Sequence, residues 1–304
     1  MLHITDGMID DLVGPAAVEE ALVAAFRAFD RGEAGIQERV RTYAGGVRLS
    51  TLGALLPEQE FAGAKVYTTI GGAFSFAIVL FSSRSGELLA ILDANAITRL
   101  RTAACSVIAA RYLARSSAKR LAIFGLGVQG REHAKQFAEA FRLEEILLCS
   151  QRRDPAIAVE ITNATKVPAR LATTEEALAS ADMIVTASRS KTPLFAGDAI
   201  RAGTFIAAVG SSLPTSRELD DTALVRASTI AIEWREQSLK EAGELVQAGA
   251  GVVDPAKIVE LGELISGRKT GRTDDQSITV YKSVGVGLED IAIAGLAWRR
   301  AVAG

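Results

Sequence analysis

A glycine-rich segment in the middle of the chain has the spacing of a dinucleotide-binding turn. The sequence there reads RLAIFGLGVQG, a short apolar strand that leads into Gly125, Gly127 and Gly130. The first glycine permits a tight turn, the second lets the backbone approach a pyrophosphate, and the third lets the following helix pack on the strand. The amides of Val128 and Gln129 open that helix, whose positive dipole end suits phosphate groups. A glycine turn with a purely structural role is the alternative interpretation.

The end of the next predicted strand bears on which dinucleotide is bound. A site for NAD usually has an acidic residue about 20 positions after the glycines, where it accepts hydrogen bonds from the ribose hydroxyls. This chain has Ser150, Arg152 and Arg153 there. Two guanidinium groups can pair with a 2′-phosphate while the serine donates to it, so we favour NADP(H). Asp154 keeps NAD(H) as an alternative, and solvated surface arginines are the structural explanation.

Three basic residues of the first hundred or so positions lie close to small and apolar side chains. Lys65 follows Gly-Ala, Arg101 precedes Thr-Ala-Ala, and Arg41 follows a valine. A cation in an apolar segment is costly unless an anion offsets its charge, and a guanidinium fork holds a carboxylate in one orientation. Together with the dinucleotide turn, these residues predict a clamp for a small carboxylate substrate. Each one taken alone is more simply a surface ion pair.

Composition excludes several classes of function. The chain has 304 residues, is 49% hydrophobic and carries a net charge of −2, which gives no electrostatic footprint for nucleic acid. No apolar stretch approaches the roughly 18 residues of a membrane helix, and the first residues lack the pattern of a secretion signal. Cys105 and Cys149 are the two cysteines, which suits the reducing cytoplasm. His3 and His133 stand alone, so we expect no metal site.

The pattern of apolar residues predicts two parts of different architecture, beginning with a mixed helix and sheet region. Residues 13–31 have apolar side chains at helical intervals, and residues 42–81 alternate as strands of an antiparallel sheet. A long alanine-rich helix follows and ends at Ala114, with Asp93 or Asn95 as its expected N-cap.

From residue 119 the pattern changes to short apolar strands that alternate with helices. Strands buried on both faces and separated by helices are typical of a Rossmann-type, doubly wound parallel sheet. A last helix over residues 287–302 follows this alternation and is expected to return to the first part. The sequence therefore predicts an α/β protein with a discontinuous α+β domain, residues 1–114 and 286–304, and a dinucleotide-binding domain, residues 115–285.

Several separated motifs resemble one protein family. The segments TRLRTAA at residues 98–104, GLGVQ at 125–129 and TVYKSVG at 279–285 are similar to those of the ornithine cyclodeaminase and mu-crystallin family. The similarity spans nearly the whole chain, with further matching stretches at residues 188–193, 242–245 and 288–290. The resemblance implies a Rossmann domain, an NAD(P)-dependent oxidoreductase that acts on small amino or imino acids, and a homodimer formed by the substrate domain.

The resemblance also assigns roles to residues. It implies that Arg41, Lys65 and Arg101 match the family's substrate-carboxylate residues and meet the nicotinamide ring across a cleft between the domains, with Arg39 as the substitute for Arg41 if the alignment is shifted. For the homodimer we expect the apolar strand segment 74–81 to form the contact surface.

Other residues are assigned to the cofactor side. Ser188 follows a strand at the carboxyl edge of the predicted sheet, where dinucleotide sites open, and is expected to contact the nicotinamide ribose. Ser283 lies in the run that the resemblance implies to face the cofactor. Lys282 and Asp290 are expected either to touch the cofactor or to brace the last helix.

One departure from the family bears on the reaction. Family cyclodeaminases carry an aspartate after the strand at residues 205–209, where the alignment places Ser212. Cyclodeamination needs a base that deprotonates the attacking ammonium, and an unassisted serine hydroxyl is a poor base. Glu218 is the nearby substitute, although the resemblance implies a structural turn at that position. Ser212 is left with the positioning of a water molecule as its expected role.

Imine reduction is a function that does not need the aspartate replaced by Ser212. We expect a reductase of cyclic or linear 2-imino acids, of the ketimine or 1-pyrroline-2-carboxylate reductase type, in which Lys65 donates a proton or stabilises developing charge. Ornithine cyclodeaminase and alanine dehydrogenase are the enzymatic alternatives. A non-catalytic, NADPH-dependent ligand-binding protein of the mu-crystallin type is the alternative from another class.

Overall fold

The computed structural model describes residues 1–303. Its strands are β1 (Leu2–Ile4), β2 (Gly35–Ala44), β3 (Val47–Leu56), β4 (Phe61–Ile70), β5 (Ala73–Ser82), β6 (Leu88–Asp93), β7 (Arg120–Phe124), β8 (Glu145–Cys149), β9 (Ala169–Leu171), β10 (Met183–Thr186), β11 (Phe205–Ala208), β12 (Ala227–Ile232), β13 (Ile258–Glu260) and β14 (Ile278–Lys282). Its helices are α1 (Asp6–Leu12), α2 (Pro15–Asp30), α3 (Asn95–Leu113), α4 (Val128–Ala140), α5 (Pro155–Thr165), α6 (Thr174–Ser180), α7 (Asp221–Arg226), α8 (Arg235–Glu241), α9 (Gly243–Val246), α10 (Leu261–Ile265) and α11 (Gly287–Ala303). No helix of this part of the chain is long and apolar enough to cross a membrane.

The chain forms two compact units. The first contains Met1–Ala104 and the C-terminal residues from Gly285 onward, and the second contains Cys105–Val284. The last helix therefore returns to the first unit, as the sequence indicates. The boundary between the units falls inside α3, whereas the sequence assigns the whole of that helix to the first domain. The functional division into a substrate domain and a dinucleotide-binding domain stays a prediction.

The first unit is built on a six-stranded sheet with the order β1-β6-β5-β4-β3-β2. The long strands β2 to β6 are antiparallel, and β1 adds to β6 in parallel. Helix α11 packs on β3 and β4. It approaches the sheet closely because Gly287 has no side chain: a Cβ there would lie 2.3 Å from the carbonyl oxygen of Gly53.

The two faces of this sheet differ in burial. On the face covered by α11, Lys65 pairs with Leu52 on one side and Ile78 on the other, and all three are buried. Side chains on the opposite face alternate with these along each strand. That outer face exposes a set of large apolar residues, Val40, Leu49, Leu55, Ile70, Phe81, Leu88 and Ile91.

The start of α3 is capped from a distant part of the chain. The amide of Ala96 donates to Asp6 Oδ1 at 2.7 Å, and the Asn95 side chain donates to the other oxygen of Asp6 at 2.8 Å. Asp93 remains in β6, where it accepts a hydrogen bond from the Asp6 amide. The predicted cap, Asp93 or Asn95, is therefore wrong, because β6 leads directly into the helix and a carboxylate from the first turn of α1 takes the capping position.

The second unit contains an eight-stranded parallel sheet with the order β13-β12-β14-β11-β10-β7-β8-β9. Every pair of neighbouring strands is parallel. The strand order reverses on either side of β7, so the point between β7 and β10 is the topological switch point at which open α/β sheets bind ligands. The predicted doubly wound architecture is confirmed.

Candidate active site

The turn after β7 has the geometry of a dinucleotide-binding turn. Gly125 has a φ of +100°, and a Cβ there would lie 2.6 Å from the carbonyl oxygen of Ala187. A Cβ on Gly130 would lie 1.9 Å from the carbonyl oxygen of Gly125. A Cβ on Gly127, in contrast, would meet nothing within 4 Å. The first and last glycines are thus required by the protein itself, whereas the middle one leaves open space where a pyrophosphate can approach the backbone.

Helix α4 begins at Val128, directly behind this turn. Its N-cap, Gly127, makes no side-chain capping bond, and Val128 is 65% exposed. The first turn is held from inside by the buried imidazole of His133, which contacts the Gln129 carbonyl oxygen at 2.7 Å and the Ser106 hydroxyl at 3.0 Å. Burial lowers the pKa of His133 to about 4, so the ring is neutral at physiological pH. The open, positive end of α4 fits an anionic pyrophosphate.

The segment after β8 places the residues that were predicted to select the cofactor. Ser150 is half-buried, and Arg152 and Arg153 are exposed. Asp154 is the N-cap of α5, and its side chain accepts a hydrogen bond from the Ala156 amide at 3.0 Å. The one acidic residue of this segment is thus engaged in capping the helix, as its position before Pro155 favours.

Glu218 joins the loops at the carboxyl ends of β10 and β11. One of its oxygens accepts hydrogen bonds from the Ser188 amide at 2.8 Å and the Ser188 hydroxyl at 2.7 Å. The other accepts from the Thr186 hydroxyl and the Gly210 amide, both at 2.8 Å. Burial raises the pKa of Glu218, while the charge of Lys282 and the hydrogen bonds from Ser188 act in the opposite direction.

Glu218 is therefore a structural group. It is fully buried and accepts four hydrogen bonds, so it has no access to the amine of a substrate. The suggestion that it replaces the cyclodeaminase aspartate is wrong for this physical reason. Ser212, the residue aligned with that aspartate, is half-buried in the loop that begins at Gly210.

A second buried carboxylate fixes the same loop through a lysine. Lys282 Nζ lies 2.8 Å from Glu244 Oε2 and donates to the Ser211 carbonyl oxygen at 2.8 Å. The other oxygen of Glu244 accepts a hydrogen bond from the Glu218 amide at 2.8 Å. Lys282 therefore braces the loop after β11 and helix α9, not the last helix, and its contact with the cofactor stays a prediction.

The two serines predicted to contact the cofactor use their hydroxyl hydrogens inside the protein. Ser188 donates to Glu218, and its oxygen accepts a hydrogen bond from the Ser190 amide at 3.1 Å. Ser283 is buried and donates to Glu233 Oε1 at 2.6 Å. Contact of either residue with a dinucleotide stays a prediction.

The basic residues of the first unit gather around the start of α11. Lys65 Nζ lies 2.7 Å from Asp290 Oδ1, and only 3% of the lysine side chain and none of the aspartate side chain is exposed. Arg101 Nη1 donates to Glu289 Oε2 at 2.6 Å. The charges of both cations are thus offset by carboxylates of this chain, whereas the sequence argument assigned that role to a substrate anion.

Electrostatics make Lys65 unusual. The pKa of its ammonium is lowered to about 8, chiefly by burial; the charge of Asp290 acts to raise this pKa and that of Arg101 acts to lower it. Arg39 also lowers the pKa of Lys65 through its charge. A lysine with a pKa near neutrality can exchange a proton with a reacting group at physiological pH.

The arginines of β2 lie on the same sheet face as Lys65. Arg39 Nη2 donates to the Gly285 carbonyl oxygen at 2.7 Å, and a Cβ on Gly285 would lie 2.5 Å from Arg101 Nη1. Arg41 is two residues further along β2 and pairs with the buried Ser50. The contacts thus bring Arg39, Lys65 and Arg101 to the start of α11, while the substrate role of Arg41 stays a prediction.

Sequence reasoning missed the role of the buried acids. Glu218, Glu233, Glu244 and Glu289 are fully buried, and each holds a predicted site residue or its loop. The available signal was an acidic residue inside an apolar run, since such a residue is rarely buried without a partner. The sequence VGLEDIAIAG around Glu289 and Asp290 has that form.

The comparisons with known proteins identify the family. The family model described as "Ornithine cyclodeaminase/mu-crystallin family" matches residues 8–304. The chain belongs to this family. A Delta(1)-pyrroline-2-carboxylate reductase from Bacillus cereus is 36% identical over 253 residues, which cover 82% of this chain and 75% of the relative. The ketimine reductase mu-crystallin of Rattus norvegicus is 31% identical over 307 residues, covering 96% of this chain and 95% of the relative.

Solved structures of the family share the whole fold. A probable ornithine cyclodeaminase from Bordetella pertussis Tohama I is 55% identical with a TM-score of 0.98, covering 100% of this chain and 97% of that one. The Thermococcus litoralis Delta(1)-pyrroline-2-carboxylate reductase in complex with NADH and L-proline is 27% identical with a TM-score of 0.95, at 100% and 98% coverage. An archaeal alanine dehydrogenase dimer with bound NAD is 27% identical with a TM-score of 0.92, at 100% and 96% coverage. The predicted fold and the prediction of an NAD(P)-dependent enzyme of this family are confirmed.

Proposed function

We propose that the protein reduces small 2-imino acids to L-amino acids with a reduced nicotinamide dinucleotide. The observation that carries this proposal is the buried Lys65, whose pKa is lowered to about 8 beside Asp290 and Arg101. The relatives named as ketimine and pyrroline-2-carboxylate reductases support the same reaction class. In this proposal the first unit holds the substrate and the second holds the dinucleotide.

The substrate carboxylate is assigned to the arginines. Arg101 is fixed by Glu289, so its guanidinium is pre-oriented at little further entropic cost. A guanidinium has five N–H donors and can serve a structural carboxylate and a substrate carboxylate together. Arg41 supplies the second contact in this proposal, with Arg39, which lies nearer to Arg101 through Gly285, as the alternative.

The proton is assigned to Lys65. Reduction of a C=N bond adds a hydride to carbon and a proton to nitrogen. The dinucleotide, when bound, supplies the hydride. Lys65 Nζ, held at 2.7 Å from Asp290, donates its proton to the imine nitrogen, and its lowered pKa makes that transfer easier than from an ordinary lysine.

Cyclodeamination is disfavoured by the residues of the second unit. That reaction also needs a base for the distal amine of the substrate. Ser212 stands at the position of the family aspartate, and Glu218 is buried with four hydrogen bonds. Alanine dehydrogenation needs the same carboxylate clamp as imine reduction. Ligand binding without turnover needs only the dinucleotide site and the basic residues. An activity assay distinguishes both alternatives from imine reduction.

We also propose a preference for NADP(H) over NAD(H). Arg152 and Arg153 are exposed at the end of β8, where they can pair with a 2′-phosphate, and Asp154 is committed to the α5 cap. The related structures contain NADH or NAD, so NAD(H) is the alternative cofactor.

We propose a cytoplasmic location as well. Both cysteines are buried free thiols, which is in keeping with a reducing compartment.

A homodimer through the outer face of the six-stranded sheet is part of the proposal. Leu55, Ala62, Phe81 and Leu88 form one continuous row across four strands on that face. Monomeric proteins rarely leave a large contiguous apolar surface in water. Only alternate residues of the predicted segment 74–81 face outward, including Phe81.

The reaction class is tested with a panel of purified substrates. We expect NADPH oxidation with 1-pyrroline-2-carboxylate or 1-piperideine-2-carboxylate, and a loss of about 100-fold or more in kcat for Lys65→Met, because the proton donor is removed. Pyruvate with ammonia tests the alanine dehydrogenase alternative in the same assay. Formation of proline from ornithine without added reductant would overturn the proposal, and tight NADPH binding with no turnover of any imine would favour the binding protein.

The pH dependence tests Lys65 as the proton donor. We expect kcat/KM for imine reduction to fall as pH rises through about 8, because the lysine loses its proton there. In Asp290→Asn the alkaline limb moves to lower pH, since the charge that raises the pKa of Lys65 is gone. Lys65→Arg keeps the charge but holds its proton too tightly to donate it, so kcat is expected to fall as it does in Lys65→Met. An unchanged limb in folded Asp290→Asn contradicts this assignment.

Cofactor preference is tested by the ratio of kcat/KM for NADPH to that for NADH. The double variant Arg152→Ala with Arg153→Ala is expected to lower this ratio by roughly 10- to 100-fold, through loss of charge-assisted bonds to the 2′-phosphate. Arg142→Ala, an exposed arginine in the same unit, is the matched control and keeps the wild-type ratio. A wild-type enzyme that uses both dinucleotides equally well would refute the preference.

The oligomeric state is tested by sedimentation. Phe81→Glu places a charge in the apolar row and is expected to raise the dimer dissociation constant by about tenfold or more. Val159→Glu changes an apolar residue that is 60% exposed on α5 and serves as the control. Sedimentation of the wild-type protein as a monomer at micromolar concentration would rule out the dimer.

A further inference from the structure

Glu218 ties together two loops that the sequence leaves unrelated. The Ser188 backbone follows β10 and the Gly210 backbone follows β11, and the carboxylate accepts the amide hydrogen of each at 2.8 Å. A Cβ on Gly210 would lie 2.3 Å from Glu218 Oε1 and 2.3 Å from the Ser188 carbonyl oxygen. Glycine is therefore required at 210 for the carboxylate and both loops to meet.

The same arrangement reaches the glycine-rich turn. A Cβ on Gly125 would lie 3.0 Å from the Ser188 amide nitrogen, so the backbone of Ser188 lies directly against the first glycine of that turn. Strand β10 lies beside β7 across the switch point of the sheet. The position of Ser188 thus sets one wall of the crevice into which the turn opens.

The segment that carries Glu218 is itself fixed at both ends. The Glu218 amide donates to Glu244 Oε1 at 2.8 Å, and Glu244 pairs with Lys282. Lys282 in turn holds the Ser211 carbonyl oxygen at 2.8 Å. Displacement of the backbone that carries Glu218 would therefore break hydrogen bonds to the buried Lys282–Glu244 pair and leave its polar atoms unpaired, which is unfavourable.

We propose that Glu218 is a positioning residue for the bound dinucleotide: it holds the backbones of Ser188 and Gly210 in the places that the nicotinamide half of the cofactor requires. This inference rests on the proposed nicotinamide-dependent function. Dinucleotides cross such a sheet at the switch point, with the pyrophosphate at the glycine turn and the second half over the strands beyond it. Glu218 contacts neither substrate nor cofactor in this role, and it acts through the two loops.

The variant Glu218→Gln separates this role from general stability. An amide presents one acceptor oxygen and one NH2 group, which cannot accept the hydrogen bonds that an oxygen accepted. The hydroxyls of Thr186 and Ser188 can rotate to adapt, but the amides of Ser188 and Gly210 cannot. Whichever way the glutamine side chain is oriented, one loop loses its acceptor.

The experiment is fluorescence titration of each variant with NADPH, together with its melting temperature. We expect the Kd of Glu218→Gln to rise by roughly 10- to 100-fold, while KM for the imine at saturating NADPH changes by less than about threefold. Thr186→Val is the matched control: it removes one hydroxyl donor to the same carboxylate and leaves both loop amides bound, so its Kd stays near the wild-type value. Glu218→Asp keeps the charge, but its side chain is too short to reach both loops, so we expect a similar rise in Kd. This variant replaces Glu218→Gln in the experiment if the glutamine variant does not fold.

A wild-type Kd in folded Glu218→Gln or Glu218→Asp would overturn the inference. Equal weakening in Thr186→Val would also overturn it, because the effect would then be a general loss of packing at the sheet edge. The measurement is one of binding, so failure of the proposed function, seen as absence of imine turnover in the wild-type protein, is distinguished from failure of this inference.

Discussion

The ion pair between Lys65 and Asp290 is the interaction on which the organisation of the first unit depends. The two side chains meet at 2.7 Å with almost no exposure to water. A buried ion pair adds little to stability compared with apolar residues of the same size, whereas loss of one partner leaves an uncompensated charge and costs about 3–5 kcal/mol. The pair therefore fixes the arrangement of β4 and α11, and it does so at the cost of desolvating a lysine that the proposed reaction uses.

This constraint explains why the first unit is discontinuous in sequence. Lys65 comes from the middle of the sheet, while its partner and that of Arg101 are adjacent residues of the last helix. Helix α11 must approach the sheet closely for these pairs to form, and Gly287 permits that approach against β3. The return of the chain to the first unit is thus required by electrostatics as well as by apolar packing.

The second unit uses buried carboxylates in a different way. Glu218 accepts hydrogen bonds from neutral hydroxyl and backbone amide groups, whereas Glu244 pairs with the charged Lys282. Backbone amides are rigid donors, so a carboxylate that accepts two of them from different loops defines their separation. Glu218 therefore fixes the separation of the two loops through their backbone amides.

The sequence predicts most of the fold. It also predicts the basic member of each buried ion pair in the first unit, but not the acidic partner. The glycine spacing predicts the turn at Gly125, because the first and last glycines meet local steric requirements that the structure shows, while Gly127 leaves open space beside the backbone. The basic residues Lys65 and Arg101 are also found from sequence, since a cation in an apolar segment is unusual. Their partners are not, because the pairing of Lys65 with a residue 225 positions later depends on how α11 crosses the sheet. The capping of α3 by Asp6 was not predicted for the same reason, because no local sequence signal connects residues 90 positions apart.

The buried acids are engaged in ion pairs and hydrogen bonds within the protein, and this limits which reactions the protein can catalyse. Asp290 pairs with Lys65, Glu289 with Arg101, and Glu218 is surrounded by hydrogen-bond donors. An acid whose oxygens are engaged in this way is not available as a base for a substrate. With a serine at the position of the family aspartate, the proposed reaction assigns proton transfer to Lys65, whose pKa is lowered to about 8. One such group is enough for the reduction of an imine, whereas cyclisation of a diamino acid needs a second.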